Sequence, residues 1–248
     1  MIGIKNNSEI SLMSEACRVV KDTLFLLEKY IKPGVATIEL DSIAEDYIMN
    51  QKDAIPGFKG LYGYPSTICI SIDDEVVHGL PGDTKLLDGQ IVGIDVGCIY
   101  KGYYGDHAKS FPVGKISNKK KKLLQVTKEC LTKGINEAVP GNHIGDIGNA
   151  VQDLAESNGF GVVRELVGHG IGSKLHEEPQ IPNFGESGTG PRIEPGMCFA
   201  IEPMINMGSQ EVFTKDDGWT ICTKDGLPSA HFEHTILVTN EGPKILTQ

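Results

Sequence analysis

A helix, a Pro-Gly pair and a second helix occur in that order twice in this chain, and the repetition narrows the folds open to it. In the first copy Ser8 reads as an N-cap, and Ile10, Met13, Cys17, Val20, Leu24, Leu27 and Ile31 line one face of a helix over residues 8–31. Pro33-Gly34 stops it. Thr37 then caps a second helix with Ile38, Leu40, Ile43, Ala44, Tyr47 and Ile48 as core candidates. In the second copy a helix over 119–138 ends at Pro140-Gly141, and Ile144, Ile147, Ala150, Val151, Leu154 and Ala155 mark the next one. Superposing the Pro-Gly pairs lays Leu40 on Ile147, Ala44 on Val151 and Tyr47 on Leu154. Amphipathic helix pairs are common and can recur by coincidence. A unit used twice instead predicts an α/β (α+β) domain with pseudo-twofold symmetry.

Between the helices lie runs rich in β-branched and aromatic residues bounded by Gly, Pro and Asp: ICISIDDEVVHG, QIVGIDVGCIYKGYYGDHAKSFPVG, MCFAIEPMI, WTICT and HFEHTILVT. The longest reads as a hairpin turning near Tyr100-Lys101-Gly102-Tyr103, which makes Asp95 and Asp106 neighbours on adjacent strands. No low-complexity stretch or long linker interrupts the 248 residues, so a single domain over 1–248 is expected.

Five polar residues sit where apolar strand or tight Gly-rich turn is otherwise expected: Asp95 in IVGIDVG, Asp106 in YGDHAKSF, His169 in LVGHGIG, Glu202 in FAIEPM and Glu233 in HFEHTILV. Taken singly, each has an ordinary reading as a paired acid or a satisfied turn residue. Converging in space, four carboxylates and an imidazole are favourable only around multivalent cations. A hard, oxygen-rich set with one nitrogen suits Mn, Fe, Co or Zn, and two such ions about 3.5–4 Å apart can hold a bridging hydroxide and polarise a carbonyl. Neither GxSxG nor HExxH occurs; His176-Glu177-Glu178 lacks the second histidine at helical spacing. Cys17, Cys69, Cys98, Cys130, Cys198 and Cys222 are scattered and read as small buried hydrophobes in a reducing compartment. A net charge of -10 argues against DNA or other nonspecific nucleic-acid binding as the main role. No apolar run is long enough to span a membrane and MIGIKNNSEI has no signal-peptide pattern, so a cytoplasmic protein is expected.

The ordered string VVHGLPG, GIDVG, GYYGDHAKSF, LVGHGIG, LHEEPQIPNFG, PGMCFAIEPM and FEHTILV resembles the type I methionine aminopeptidases, a branch of the M24 peptidases, over nearly the whole chain. The resemblance implies the pita-bread (creatinase/aminopeptidase-like) fold, a pseudo-twofold antiparallel sheet backed by helices. It implies metal-dependent hydrolysis of the initiator methionine from nascent polypeptides with a small second residue. By that likeness two divalent ions serve as cofactors: Asp95 chelates one, Asp106 and Glu233 bridge both, and His169 and Glu202 complete the other. His78 contacts the substrate amide, and His176 stabilises the tetrahedral intermediate as a neutral imidazole at its ordinary pKa, about 6.5. Glu202 carries the proton from water to leaving amine. Phe58, Leu61, Tyr64, Cys69, Leu175 and Trp219 form the methionine pocket. Leu61 stands where the family often has Tyr, and Leu175 is Phe in some relatives; both keep the pocket apolar.

Lys119 to Lys122 form a basic run at a helix start, either a solvated face or a dock for ribosomal RNA near the exit tunnel. Ile2 is bulky, so Met1 should be retained. A monomer is expected. Two alternatives stand beside this reading. An Xaa-Pro aminopeptidase or prolidase of the same fold would be expected to carry an additional N-terminal domain. A non-enzymatic binding scaffold would be expected to have lost ligands.

Overall fold

The computed structural model describes residues 2–248; Met1, on whose retention an expectation rests, lies outside the described residues. Four helices carry the two copies: α1 Asn7–Glu28 and α2 Thr37–Met49, then α3 Asn118–Glu137 and α4 Ile144–Ser157. The helix starts differ slightly from those read in the sequence. Asn6, not Ser8, caps α1: its Oδ1 accepts from Ser8 and Glu9 N–H while Glu9 accepts from Asn6 N–H. Ala36, not Thr37, precedes α2, and Glu39 takes the Ala36 N–H at 3.0 Å; at α4 Asp146 takes the His143 N–H at 2.7 Å. In both, a carboxylate three residues into the helix takes the N–H of the N-cap residue, the half of a capping box that needs no N-cap side chain. Ile38, expected in the core, is exposed, whereas Leu40, Ala44, Ile48, Ile147, Val151 and Ala155 are buried.

The first half adds β1 Ala54–Pro56, β2 Ile68–Ile72, β3 Glu75–Val77, β4 Ile91–Tyr100 and β5 Tyr103–Pro112. The second adds β6 Gly161–Val162, β7 Gly168–Gly170, β8 Glu177–Ile181, β9 Cys198–Ile201, β10 Met204–Asn206, β11 Val212–Thr214, β12 Ile221–Thr223, β13 Ser229–His231, β14 His234–Thr239 and β15 Gly242–Ile245. All the strand pairs described are antiparallel and fall into four sheets, including β1-β4-β2 with β5 on β4, and β15-β14-β9-β7-β8. Runs read as single strands are broken: ICISIDDEVVHG at Asp73-Asp74 between β2 and β3, and two others nearer the predicted site residues. Glu202-Pro203 separates β9 from β10, and Phe232-Glu233 separates β13 from β14. Pro203 has no N–H to give a ladder. Each break falls on a carboxylate.

The internal repetition extends to individual hydrogen bonds. Gly34 N–H donates to Leu86 O and Gly141 N–H to Ile193 O; Leu86 N–H donates to Val35 O and Ile193 N–H to Asn142 O; Thr37 N–H donates to Thr84 O and Ile144 N–H to Pro191 O. The two sets keep one constant spacing along the chain. That same spacing carries Asp95 onto Glu202. Gly34 and Gly141 both adopt left-handed φ, 92° and 99°, which explains why each copy needs glycine after its proline.

Each half has its own core. One is built on α1, α2 and β4, with Leu40, Ile68 and Ile94; the other on α3, α4 and β9, with Leu123, Ile147 and Phe199. A third cluster draws on both halves, joining Met13, Phe58, Tyr64 and Cys69 to Ile171, Leu175, Cys198 and Leu237. Leu40→Ala and Ile147→Ala occupy equivalent places in the two cores and should each lower stability by about 2–5 kcal/mol. Urea unfolding followed by both tryptophan fluorescence and circular dichroism checks this. If the third cluster welds the halves into one domain, both variants shift a single shared transition.

Candidate metal centre and substrate cavity

The hairpin of β4 and β5 turns on Lys101 and Gly102, both with left-handed φ, 48° and 87°. That pair of angles matches the two-residue turns whose twist suits flanking strands. Its register pairs Asp95 with Ala108 and Gly97 with Asp106. The two acids are therefore neighbours on adjacent strands, as the hairpin reading had them, lying diagonally on one face. Gly97 is small because the Phe58 ring lies against it; a Cβ there would strike that ring. Asp106 is held at its backbone by Thr235, whose hydroxyl donates to Asp106 O at 2.8 Å.

Glu233 enters from the break between β13 and β14. Its N–H donates to Ala108 O at 2.9 Å, and His107 Nδ1 meets its carbonyl at 2.6 Å. Glu202 enters from the break between β9 and β10, with its carbonyl accepting from Asn183 Nδ2 at 3.0 Å. His169 sits on β7, where flanking glycines let it pass close under β8 and β9. Its Nδ1 faces Gly170 O at 3.0 Å, an acceptor for a hydrogen on Nδ1, which leaves Nε2 as the nitrogen turned toward the acids. Nε2 lies 3.8 Å from Asp106 and 3.5 Å from Glu202. One ligand atom each from Asp106, His169 and Glu233 fall within 4.8 Å of one another.

The electrostatics of this cluster are uneven. Burial, followed by the repulsion of neighbouring acids, pushes Asp106 and Glu233 well above the usual carboxylate range. Burial raises Asp95 to about 6. Burial would raise Glu202 too, but the His231, His169 and His78 imidazoles together bring it below its ordinary value. Asp95 Oδ1, Asp106 Oδ1 and Glu233 Oε1 are all buried without a hydrogen-bond partner. Asp95 and Glu202 lie outside the group of ligand atoms within 4.8 Å of one another, but unpartnered buried carboxylate oxygens on neighbouring acids are unfavourable alone and well matched to a cation. With one imidazole lone pair added, the donor set fits hard or borderline divalent ions.

A cavity of about 320 Å³ opens over these groups. Phe58, Leu61, Tyr64, Cys69, Leu175 and Trp219 form its apolar walls, and His78, His176 and the five residues above line its floor and rim. Trp219 meets the Tyr64 ring edge-on at 5.1 Å. The Tyr64 hydroxyl lies 3.1 and 3.0 Å from Ile68 O and Gly79 O, which ties β2 to the turn bearing His78. Cys69 pairs with Asp95 across the β2–β4 ladder, and burial lifts its thiol well above normal, so it acts as a small apolar wall. All six cysteines are buried and free. His78 takes a left-handed φ of 58°, a strained conformation at the cavity rim.

His176 differs from expectation in one respect. Burial, with His169 beside it, lowers its pKa to about 4 rather than leaving it near the ordinary value. It stays neutral far below pH 7. Several residues at the site escaped the sequence reading, Val77, Leu166, Val167 and Met204 in the cavity lining among them; two others stand out. Tyr62, largely exposed with a left-handed φ of 52°, lies parallel to His176 at 5.9 Å. His231 is 4% exposed and holds Nε2 3.4 Å from Glu202 Oε2. The glycines around Tyr62 were a local cue to an unusual turn; nothing local marks His231.

Helices backing paired antiparallel halves, with four carboxylates and an imidazole between them under an apolar cavity, define a metallohydrolase for a substrate with one apolar group. The sequence agrees: the profile of "Metallopeptidase family M24" matches residues 11–240. The chain is 52% identical to methionine aminopeptidase 1 of Bacillus subtilis, with all of both chains aligned. It is 50% identical to the methionine aminopeptidase of Clostridium perfringens, covering 100% of this chain and 99% of that one. The crystal structure of a methionine aminopeptidase from Thermotoga maritima superposes at a TM-score of 0.98 with 44% identity, and both chains are fully covered. This chain belongs to metallopeptidase family M24 and, within it, to the methionine aminopeptidases. A prolidase from Pyrococcus furiosus shares the fold at a TM-score of 0.79 and 22% identity, covering 99% of this chain and 65% of that one.

The raised carboxylates make a prediction about cation binding. Asp95, Asp106 and Glu233 keep protons to higher pH than ordinary acids, and a cation must displace them. Affinity for Mn(II) should therefore fall as pH drops through about 6, and binding near that pH should release protons. Calorimetry at pH 6 in two buffers of different ionisation enthalpy checks it; identical heats would exclude the proton release.

Proposed function

We propose that this chain hydrolyses the initiator methionine from nascent polypeptides whose second residue is small. The observation that carries the reading is the direct contact between an apolar one-side-chain cavity and the unpartnered carboxylates at its floor. Phe58, Leu61, Tyr64, Cys69, Leu175 and Trp219 take the methionine side chain. Asp95, Asp106, His169, Glu202 and Glu233 are the residues that would hold two divalent ions, with Asp106, His169 and Glu233 already gathered within 4.8 Å. When bound, such a pair polarises the scissile carbonyl and lowers the pKa of water to near neutrality.

The remaining steps belong to side chains. Glu202, the one acid of the cluster held below its ordinary pKa, is ionised and ready to accept a proton from the attacking water. It then delivers that proton to the leaving amine nitrogen. Neutral His176 donates a hydrogen bond to the developing oxyanion, and the cavity's low polarity strengthens that bond. His78, at the rim, contacts the scissile amide. Every one of these groups comes from a single chain, so a monomer suffices. No helix among the described residues is long and apolar enough to cross a membrane. We place the activity in the cytoplasm, where new N-termini emerge.

The basic run at the start of α3 is smaller than its sequence suggests. Lys120 is turned inward, its Nζ donating to Asp73 at 2.5 Å and to Gly89 O at 2.8 Å. Lys119, Lys121 and Lys122 stay exposed. We propose these three as a weak electrostatic contact with ribosomal RNA near the exit tunnel.

Two experiments test these proposals. Purified protein with Mn(II), Fe(II) or Co(II) should release Met from Met-Ala-Ser and lose that activity with chelator. Glu202→Ala should lower kcat by roughly 10²–10⁴-fold. Release of Xaa from Xaa-Pro substrates with no action on Met-Ala-Ser would favour the prolidase reading, and no hydrolysis of either would favour a scaffold. Separately, reversing Lys119, Lys121 and Lys122 to Glu should weaken co-sedimentation with ribosomes at low salt while leaving turnover of Met-Ala-Ser intact. Unchanged co-sedimentation would remove the docking proposal.

A further inference from the structure

Glu202 needs a fixed orientation if one of its oxygens is to face a cation while the carboxylate also carries a proton. Two imidazoles flank it. His169 Nε2 lies 3.5 Å from Oε1 and His231 Nε2 lies 3.4 Å from Oε2. His169 is itself placed to ligate through Nε2, and a nitrogen whose lone pair binds a metal has no hydrogen to give. With Nε2 of His169 so used, His231 is the imidazole left to the Glu202 carboxylate among the described residues. His231 Nε2 is buried and has no other hydrogen-bond partner. Its separation from Oε2 is long for a hydrogen bond and within reach of one after a small rotation.

The backbone around His231 is fixed from outside the site. Ser110 on β5 donates its hydroxyl to His231 O at 3.0 Å and accepts from His231 N–H at 3.0 Å. Across the β10–β13 ladder His231 pairs with Met204, two residues beyond Glu202. The His231 backbone is thus anchored to the first half of the molecule and to the strand that continues Glu202. Glu202 O is held separately by Asn183.

We propose that His231 is a positioning residue for Glu202: its Nε2–H holds Oε2 and so presents Oε1 to the cation and the substrate. The proposal rests on the methionine aminopeptidase reading for its kinetic test, and on the metal centre alone for its binding test. No ring stacking or bulk is required of His231, only a donor at the reach of Nε2. His231→Gln keeps a side-chain N–H donor at about that reach. His231→Asn keeps the amide but is one methylene short, and His231→Leu removes the donor while keeping an apolar volume.

The experiment measures kcat and KM on Met-Ala-Ser with saturating Mn(II), and in parallel the Mn(II) affinity of the same proteins by calorimetry. His231→Leu and His231→Asn should each lose roughly 10–100-fold in kcat or in Mn(II) affinity, the range for a group that orients a ligand. KM should stay within about twofold, because His231 is not among the residues that line the cavity. His231→Gln should recover most of the loss. Leu or Asn variants with wild-type kcat and Mn(II) affinity would overturn the proposal, as would a Gln variant no better than Leu. If the Leu variant fails to fold, the comparison of Gln with Asn decides the question, and equal behaviour of those two counts against it. Wild-type protein that binds Mn(II) but spares Met-Ala-Ser would count against the methionine aminopeptidase reading, while the calorimetric ranking of the variants still tests His231.

Discussion

The rest of this structure is arranged around a local repulsion. Asp95, Asp106 and Glu233 each hold a buried oxygen without a hydrogen-bond partner; Asp95 raises the pKa of both Asp106 and Glu233, and Asp106 raises that of Glu233. Such a cluster does not arise from ordinary packing, since a lone buried acid is already unfavourable. It persists because the backbone that carries it is secured elsewhere. The β4–β5 hairpin is laddered along its full length, and Asp106 and Glu233 are tied through Thr235, His107 and Ala108. The scaffold supplies the stability that the site gives up, and a cation turns the repulsion into binding.

The duplicated architecture accounts for where the site falls. Each half closes its own core from a helix pair and a strand, so neither needs the other to bury its main apolar faces. What remains between them is a strip that both must share. The third cluster fills part of that strip with Met13, Phe58, Tyr64, Ile171 and Leu175, and the cavity and acids occupy the rest. Asp95 and Glu202 stand at corresponding positions of the two copies, yet their settings have diverged. Asp95 is surrounded by burial and other acids and rises to about 6; Glu202 is surrounded by imidazoles and falls. One repeated position thus yields an acid suited to holding a cation and an acid suited to moving a proton.

Much of this could be read from the chain, for a physical reason. Acids within apolar strands are rare enough that Asp95, Asp106, Glu202 and Glu233 each stood out against their neighbours, and His169 stood out between glycines. The helix pairs were visible because burial imposes a period on the sequence. What went unread depends on contacts across strands. The broken strands at Glu202-Pro203 and Phe232-Glu233 look continuous in sequence because the residues on both sides are equally apolar. Ile38 fits the helical period but lies on the side that no layer covers. His231 was hidden for the same reason: HFEH presents two histidines beside one acid, and only the pairing of β13 with β10 turns the first toward Glu202.

The breaks in the strands connect these points. In an unbroken strand successive side chains alternate faces, so Glu202 and Glu233 would be aimed by the same pleat that aims their apolar neighbours. A pleat fixes direction only to one face or the other. Ending the ladder at the carboxylate frees its backbone from that alternation and lets separate hydrogen bonds set the angle: Asn183 at Glu202 O, and Ala108 and His107 at Glu233. Pro203 enforces the first break by removing an N–H that could restore the ladder. The paired hairpin, by contrast, keeps Asp95 and Asp106 under the pleat, where its register alone sets their diagonal spacing. The centre therefore combines two acids placed by sheet geometry with two placed by its interruption, and the freedom gained at the interruptions is what allows Glu202 to turn toward the imidazoles that set its charge.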